Sequence, residues 1–238
     1  MYTMTCTCTT ERVSADLERV SAELEIGAVI LSCKSPSGVT RGEHRRGRDG
    51  SFGHNMSCTL KVPCQARPIH AKLFQTGSIQ IAGALSLRAA HEAADHLCNA
   101  AGLPSPVDMR VRLMNCGIRA SARLNLVRCR DSMCSRGIRT EYDPDRYSAV
   151  KACLFFGKGA DGDNRCTCAA SCADKVSRNR LCQMVTVSVF ESGAVLLSGG
   201  SSMDNVGCAV ERIKECIDDG SASSEDAILA KLKALSVA

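Results

Sequence analysis

The segment Phe190-Glu-Ser-Gly-Ala-Val-Leu-Leu-Ser-Gly199 occurs a second time in the chain, as Phe74-Gln-Thr-Gly-Ser-Ile-Gln-Ile-Ala-Gly83. Both copies read Phe-x-(Ser/Thr)-Gly-x-(Ile/Val)-x-(Ile/Leu)-x-Gly, with an offset of 116 from residue 74 to residue 190. The match continues beyond the second glycine. Ala90, Ala93, Ala94 and Leu97 recur at the same offset as Val206, Ala209, Val210 and Ile213. Apolar residues at i, i+3, i+4 and i+7 make one face of an amphipathic helix. The repeated unit therefore predicts a strand ending at Phe, a Ser/Thr-Gly turn, a return strand, and a helix packed on one sheet face. Two such copies at one offset point to an internally duplicated fold.

Before the first copy, residues 1–9 alternate Thr with Met or Cys and predict a strand with one buried face. Thr10 is expected to cap a helix that carries Val13, Leu17, Val20 and Leu24, with Glu11 and Asp16 near its start, where the dipole favours anions. Strands are expected over 28–33, 56–62, 69–74 and 79–82, and a helix over 86–100. A break at 101–106 separates the halves. The second half predicts a strand over 107–119, a helix around 120–133, and strands within 138–156, 184–190 and 194–198. A helix over 202–218 and a short one over 225–235 follow. The first repeat is thus 1–103, with a basic insertion at 36–52. The second is 104–238, with a Cys-rich insertion at 157–182 and a C-terminal helix. Strands and helices in this order make an α+β pattern with helices gathered on one face of a sheet.

With 238 residues, 45% hydrophobic and 23% charged, the composition is that of a globular protein with ordinary cores. Aromatics are 3% and Trp is absent, so those cores rest on aliphatic residues, Met and Cys. A net charge of +5 permits nucleic-acid contact without demanding it. No apolar run long enough for a membrane span and no signal peptide is read, so an intracellular, non-secreted protein is expected. Most of the sixteen cysteines then read as small buried hydrophobes in a reducing compartment.

The duplicated hairpin resembles that of the TATA-binding protein family, whose two halves each carry Phe-x-Ser-Gly-Lys-x-x-x-Thr-Gly. Tyr142-Asp-Pro-Asp-Arg-Tyr147-Ser-Ala is similar to that family's Tyr-x-Pro-x-x-Phe-Pro-Gly, and Val111-Arg-Leu-Met-Asn115-Cys to the strand that opens its second half. The long insertions and sparse basic residues look like the divergent members found in large DNA viruses and some protists. The resemblance implies a pseudo-twofold saddle, a curved antiparallel sheet with helices on the convex face. It also implies a monomer that binds AT-rich promoter double-stranded DNA and works with general transcription factors and the polymerase machinery. The nucleus, or a viral factory, is the compartment it implies.

In that family, phenylalanines wedge into base steps and kink the duplex through the minor groove. Phe74 and Phe190 match one wedge of each pair; Tyr147 stands where the second half has its other Phe, and Phe52 is a candidate partner in the first. Asn115 matches an asparagine that reads base edges, with its first-half counterpart expected before residue 1. Gln80, Ala82, Leu196 and Ser198 are expected on the open sheet face, with Ile79, Ile81, Val195 and Leu197 under the helices. Departures are plain: the lysine after the hairpin glycine is Ser78 or Ala194, the hairpin threonine is Ala82 or Ser198, and a strand arginine is Lys61 or Cys153. Fewer cations predict weaker phosphate neutralisation.

Several alternatives stand beside these. Phe74 and Phe190 also fit a core role in a differently closed sheet, and Asn115 a purely structural one. The basic run at 41–50 reads as a phosphate-contacting loop or a solvated hairpin insertion. Cys166, Cys168, Cys172 and Cys182 either hold a structural Zn2+, form a redox-active disulfide or are incidental; the tight first spacing departs from common zinc pairs. No other cofactor is implied. The five histidines show no catalytic or metalloprotease spacing, and no enzyme is expected. A saddle-shaped protein-interaction module of the transcription machinery is the second reading. The third is an accessory domain of a nucleic-acid enzyme.

Overall fold

In the computed structural model the described residues are 2–10, 16–42, 55–157 and 182–221. The chain divides into two compact units, Tyr2–Leu113 and Met114–Ala238. The first holds β1 (Tyr2–Thr9), α1 (Leu17–Glu23), β2 (Ile30–Lys34), β3 (Thr40–Gly42), β4 (Asn55–Leu60), β5 (Ile69–Phe74), β6 (Ser78–Ala84) and α2 (Leu87–Ala100). Strand β7 (Val107–Arg119) begins in the first unit and ends in the second. Then come α3 (Leu126–Ser135), β8 (Arg139–Glu141), β9 (Ala149–Gly157), β10 (Cys182–Phe190), β11 (Ala194–Gly199) and α4 (Met203–Gly220). Strand order is β3-β2-β4-β5-β6-β1-β7 in the first unit and β7-β11-β10-β9-β8 in the second. The expected α+β pattern with antiparallel strand pairs is what the chain forms.

The duplicated hairpin is held by its two glycines. Gly77 and Gly193 sit at φ 77° and 81°, Gly83 and Gly199 at 92° and 114°, all in the left-handed region that suits a residue without Cβ. In both copies the turn glycine N–H donates to the Phe carbonyl, Gly77 to Phe74 at 2.9 Å and Gly193 to Phe190 at 3.0 Å. The helices begin alike as well. Ser86 Oγ accepts from Ala89 N at 3.1 Å, and Ser202 Oγ from Asn205 N at 3.2 Å, each supplying the N-cap bond that a first turn otherwise lacks. Part-buried glutamine amides stitch helix starts to strands: Gln65 Oε1 accepts from Leu85 N at 2.9 Å, and Gln183 Oε1 from Ser201 N at 3.1 Å.

The opening strand and its helix are duplicated too, though at an offset of 110 from Thr10 to Ala120. Thr10 N donates to Gly77 O and Ala120 N to Gly193 O, at 2.9 and 2.8 Å. Two expectations change here. Thr10 does not cap a helix: its hydroxyl donates to Pro104 O at 2.9 Å, and Asp16 caps α1 instead by accepting from Glu18 N at 3.0 Å. Likewise the helix expected from residue 120 starts at Leu126, because the Ala120 and Leu124 N–H groups go to Gly193 O and Glu191 O and only Asn125 is placed to cap. The final helix expected over 225–235 lies outside the described residues.

Helix α2 packs on β5 and β6, α1 on β4, α3 on β8 and β9, and α4 on β10 and on α3. The residues beneath are Ile79, Ile81, Val187, Val189, Val195 and Leu197, all buried, as alternation requires. Cysteines fill small gaps in this layer. Cys6, Cys8, Cys33, Cys58, Cys98, Cys129 and Cys216 are buried free thiols. Burial, with Cys98, Cys6 and Asp95 nearby, pushes Cys8 up to about 12; burial likewise pushes Cys129 up to about 11. Both thiols are therefore neutral packing groups near neutral pH. Across α3 and α4, Ser132 Oγ donates to Asp219 Oδ2 at 2.7 Å and Arg136 bridges Asp219 and Glu215 at 3.0 and 3.3 Å.

A Cβ at Gly199 would lie 2.2 Å from Met184 O, whereas one at Gly102, also at positive φ, would meet nothing within 4 Å. Gly199→Ala is expected to cost about 3 kcal/mol and Gly102→Ala about 1 kcal/mol. Urea midpoints at unchanged m-value measure the difference.

Candidate nucleic-acid interface

In each unit the strand residues of the other parity face away from the buried layer. Phe74, Gln80 and Ala82 are half-buried in the first unit, as is Phe190 in the second, while Ser198 is exposed and Leu196 is 50% exposed. The register explains why these residues correspond. Phe74 stands opposite Asn55 and Phe190 opposite Ala149, each at the last strand position before the turn. Two phenylalanines 116 positions apart thus occupy one location in two hairpins, and neither is withdrawn into the core.

A second ring lies beside Phe190. The centroids of Tyr147 and Phe190 are 5.9 Å apart with planes at 70°, an edge-to-face pair within the favourable range. Tyr147 is 44% exposed. Phe190 also lines a hollow of about 520 Å3 with Arg123, Ser148, Glu191 and Ser192. Arg123 and Glu191 form an ion pair at 2.5 Å beside it. Both of these side chains are exposed, so the pair contributes little to stability. Phe52 lies outside the described residues.

Asn115 pairs with Ser198 across β7 and β11, and Ser198 Oγ donates to Asn115 Oδ1 at 2.8 Å. That bond turns the amide Nδ2 into the group the side chain offers to an external acceptor. The first-half counterpart is not before residue 1. Thr5 pairs with Ala82 as Asn115 pairs with Ser198, so a threonine holds the equivalent position. Lys61 is exposed one residue past the end of β4, its N–H bonded to Val29 O at 2.8 Å. Register places Thr59, opposite His70, at the position equivalent to Cys153 opposite Thr186. Lys61 is thus not the counterpart of Cys153.

Other residues of this face follow only from cross-strand pairing. Lys72 lies between Ser57 and Gln80, and Arg112 Nε donates to Thr7 Oγ1 at 2.7 Å. In the second unit Met184, 46% exposed, stands opposite Phe155. The alternation of β5 and β9 already carries Lys72 and Phe155, but their neighbours require the register. Cys182 begins β10, whereas Cys166, Cys168 and Cys172 lie outside the described residues. Among the described residues no group of three or more His, Cys, Asp or Glu side chains is placed to hold a metal, and no helix is long and apolar enough to cross a membrane.

Partial exposure of the two rings has a measurable consequence. Phe156 is fully buried, so Phe156→Ala is expected to cost about 4 kcal/mol. Phe74→Ala and Phe190→Ala are expected to cost less than half of that, read from the shift in urea midpoint. Equal costs for all three would place Phe74 and Phe190 in the core.

No protein-family profile matches the chain, and no curated protein matches it. A solved structure does. The chain is similar to the TATA-binding protein of Methanococcus jannaschii, with a TM-score of 0.55 and 19% identity. The match covers 91% of this chain and 96% of that one. At this level of identity the likeness is one of fold, and over nearly its whole length the chain has a TATA-binding-protein-like fold.

Proposed function

We propose that this protein is a TATA-binding-like transcription factor that engages duplex promoter DNA through the open faces of its two units. The observation that carries the reading is the matched pair Phe74 and Phe190: the same ring, at the same register of two hairpins, left half-exposed among the described residues on the sheet face opposite the buried layer. An apolar ring held at a sheet surface favours a partner that covers it. The fold likeness to a TATA-binding protein supports duplex DNA as that partner.

In this reading Phe74 and Phe190 act as wedges at base steps, with Tyr147 braced edge-on against Phe190. Asn115, its Oδ1 held by Ser198, presents an amide donor, and the minor groove of A·T pairs offers only acceptors. Gln80, Ala82, Leu196 and Ser198 make the floor, and Lys61 contacts phosphate from the rim. AT-rich sequence containing TA steps is favoured because those steps are unstacked at lower cost. The chain works as a monomer on DNA and is not an enzyme. It is of the divergent kind, with two inserted segments and with Ser78 and Ala194 in place of cations, and it acts where transcription starts, in the nucleus or a viral factory. The helix-covered side is left for other transcription proteins.

A second reading has its own support. The tyrosine hydroxyl at Tyr147 disfavours insertion between bases, and the Arg123–Glu191 ion pair sets a carboxylate beside Phe190. Both suit a protein-interaction module with weak DNA affinity. Fluorescence anisotropy with AT-rich and GC-rich duplexes separates the two. The wild type is expected to prefer the AT-rich duplex, and Phe74→Ala/Phe190→Ala to lose more than tenfold in affinity for it, about 1.4 kcal/mol. Binding indifferent to base composition and to both rings would move the search to protein partners.

A further inference from the structure

Pairing lays one row of side chains across the open face of the first unit. Lys34 of β2 stands opposite Ser57 of β4, Ser57 opposite Lys72 of β5, Lys72 opposite Gln80 of β6, and Gln80 opposite Thr7 of β1. Arg112 of β7 closes the row through its bond to Thr7 Oγ1 at 2.7 Å. Strands β1, β2, β4, β5 and β6 contain no Asp or Glu. Asp108, at the start of β7, is four residues before Arg112, about 13 Å along a strand. The second unit differs. There Lys151 stands opposite Glu141, and Arg123 is paired with Glu191. Lys151 and Arg123 of that unit thus each have a carboxylate neighbour, whereas neither cross-strand neighbour of Lys72 is acidic.

Spacing gives the row a chemical target. Neighbouring strands lie about 4.8 Å apart, so Lys34 and Lys72 are about 10 Å apart, and Lys72 and Arg112 about 14 Å. The five steps from β2 to β7 span about 24 Å. Duplex DNA carries one phosphate per ~1.7 Å of helix axis with both strands counted, so a row about 24 Å long runs beside about seven base pairs and its cations can meet phosphates of either strand. Hydroxyls of Ser57 and Thr7 fill intervals with hydrogen-bonding groups of the kind that contact phosphate and sugar.

We propose that Lys72 and Arg112, in line with Lys34, form a phosphate-contacting row, and that the electrostatic share of duplex binding resides in the first unit. The second unit then contributes mainly its apolar surface of Phe190, Tyr147, Phe155, Met184 and Leu196. This inference rests on the open face being the duplex-binding surface.

The test is the salt dependence of affinity for a labelled mixed-sequence duplex, measured by anisotropy from low to moderate NaCl. The proteins are wild type, Lys72→Ala, Arg112→Ala, the double variant and Lys214→Ala, the last altering an exposed lysine of α4. Removing one cation from a phosphate lowers the slope of log K against log salt by about 0.9, so the double variant is expected to be shallower by about 1.8. Lys214→Ala is expected to keep the wild-type slope, and Lys72→Arg with Arg112→Lys to restore it. An unchanged slope in the double variant, or an equal drop in Lys214→Ala, overturns the proposal. So does a wild type that binds no duplex, which removes the promoter-binding reading as well. A slope that depends on Lys72 and Arg112, in a protein without AT preference or need for its phenylalanines, overturns that reading alone.

Discussion

Backbone handedness at four glycines governs everything else in this chain. A side chain at φ near +80° to +110° is strained, and at Gly193 and Gly199 it would also run into carbonyl oxygens, 2.6 Å from Ala122 and 2.2 Å from Met184. Glycine there lets the hairpin turn tightly at one end and leave the sheet at the other. Between those two fixed points the register has no freedom. A slip of one residue would send Val195 and Leu197 outward and Leu196 and Ser198 beneath the helix. The side on which Phe74 and Phe190 emerge is thus decided by residues that touch no ligand.

The same logic explains which features the sequence reveals. The hairpin and the helix after it are legible because glycine, phenylalanine, a serine cap and an i, i+3, i+4, i+7 face all speak locally. The starts of α1 and α3 are not. Thr10 has the composition of an N-cap, but its hydroxyl is taken by Pro104, ninety-four residues away in sequence, and its N–H by Gly77. Ala120 and Leu124 are similarly claimed by the turn at 191–193. Long-range hydrogen bonds hold these residues outside a helix, most directly at Leu124, whose N–H would have gone to Ala120 O in a helix from residue 120 and goes to Glu191 O instead, and no local pattern announces that. The candidate surface divides along the same line. Its phenylalanines, Tyr147 and Asn115 are marked by motif, whereas the places of Lys72, Arg112, Thr5 and the Met184–Phe155 pair become visible only once strands are set side by side.

Cysteine usage fits a core with few aromatics. A thiol is smaller than leucine and more polarizable than alanine, and it fills the shallow space between a sheet and a helix built on alanine, as α2 is with Ala89, Ala90, Ala93 and Ala94. At the far end of α4, Gly220 plays the complementary part. A Cβ there would fall 2.0 Å from Cys129 Sγ, so the sulfur occupies the space that a side chain on the partner helix would have taken. Close packing of α3 against α4 depends on that exchange of volume.

Two matched registers make each half a comparison set for the other. Across the offset of 116, the buried partners are Ile69 and Val185, Leu73 and Val189, Ile79 and Val195, and Ile81 and Leu197: aliphatic replaced by aliphatic. On the opposite face the partners are His70 and Thr186, Lys72 and Ser188, Gln80 and Leu196. The two faces of each hairpin therefore differ in how closely the copies agree. The inner residues are aliphatic in both copies, whereas on the outer face Lys72 of one copy corresponds to an uncharged Ser188 and Gln80 to an apolar Leu196. Phe74 and Phe190 are the exception, an outer position at which both copies carry the same residue.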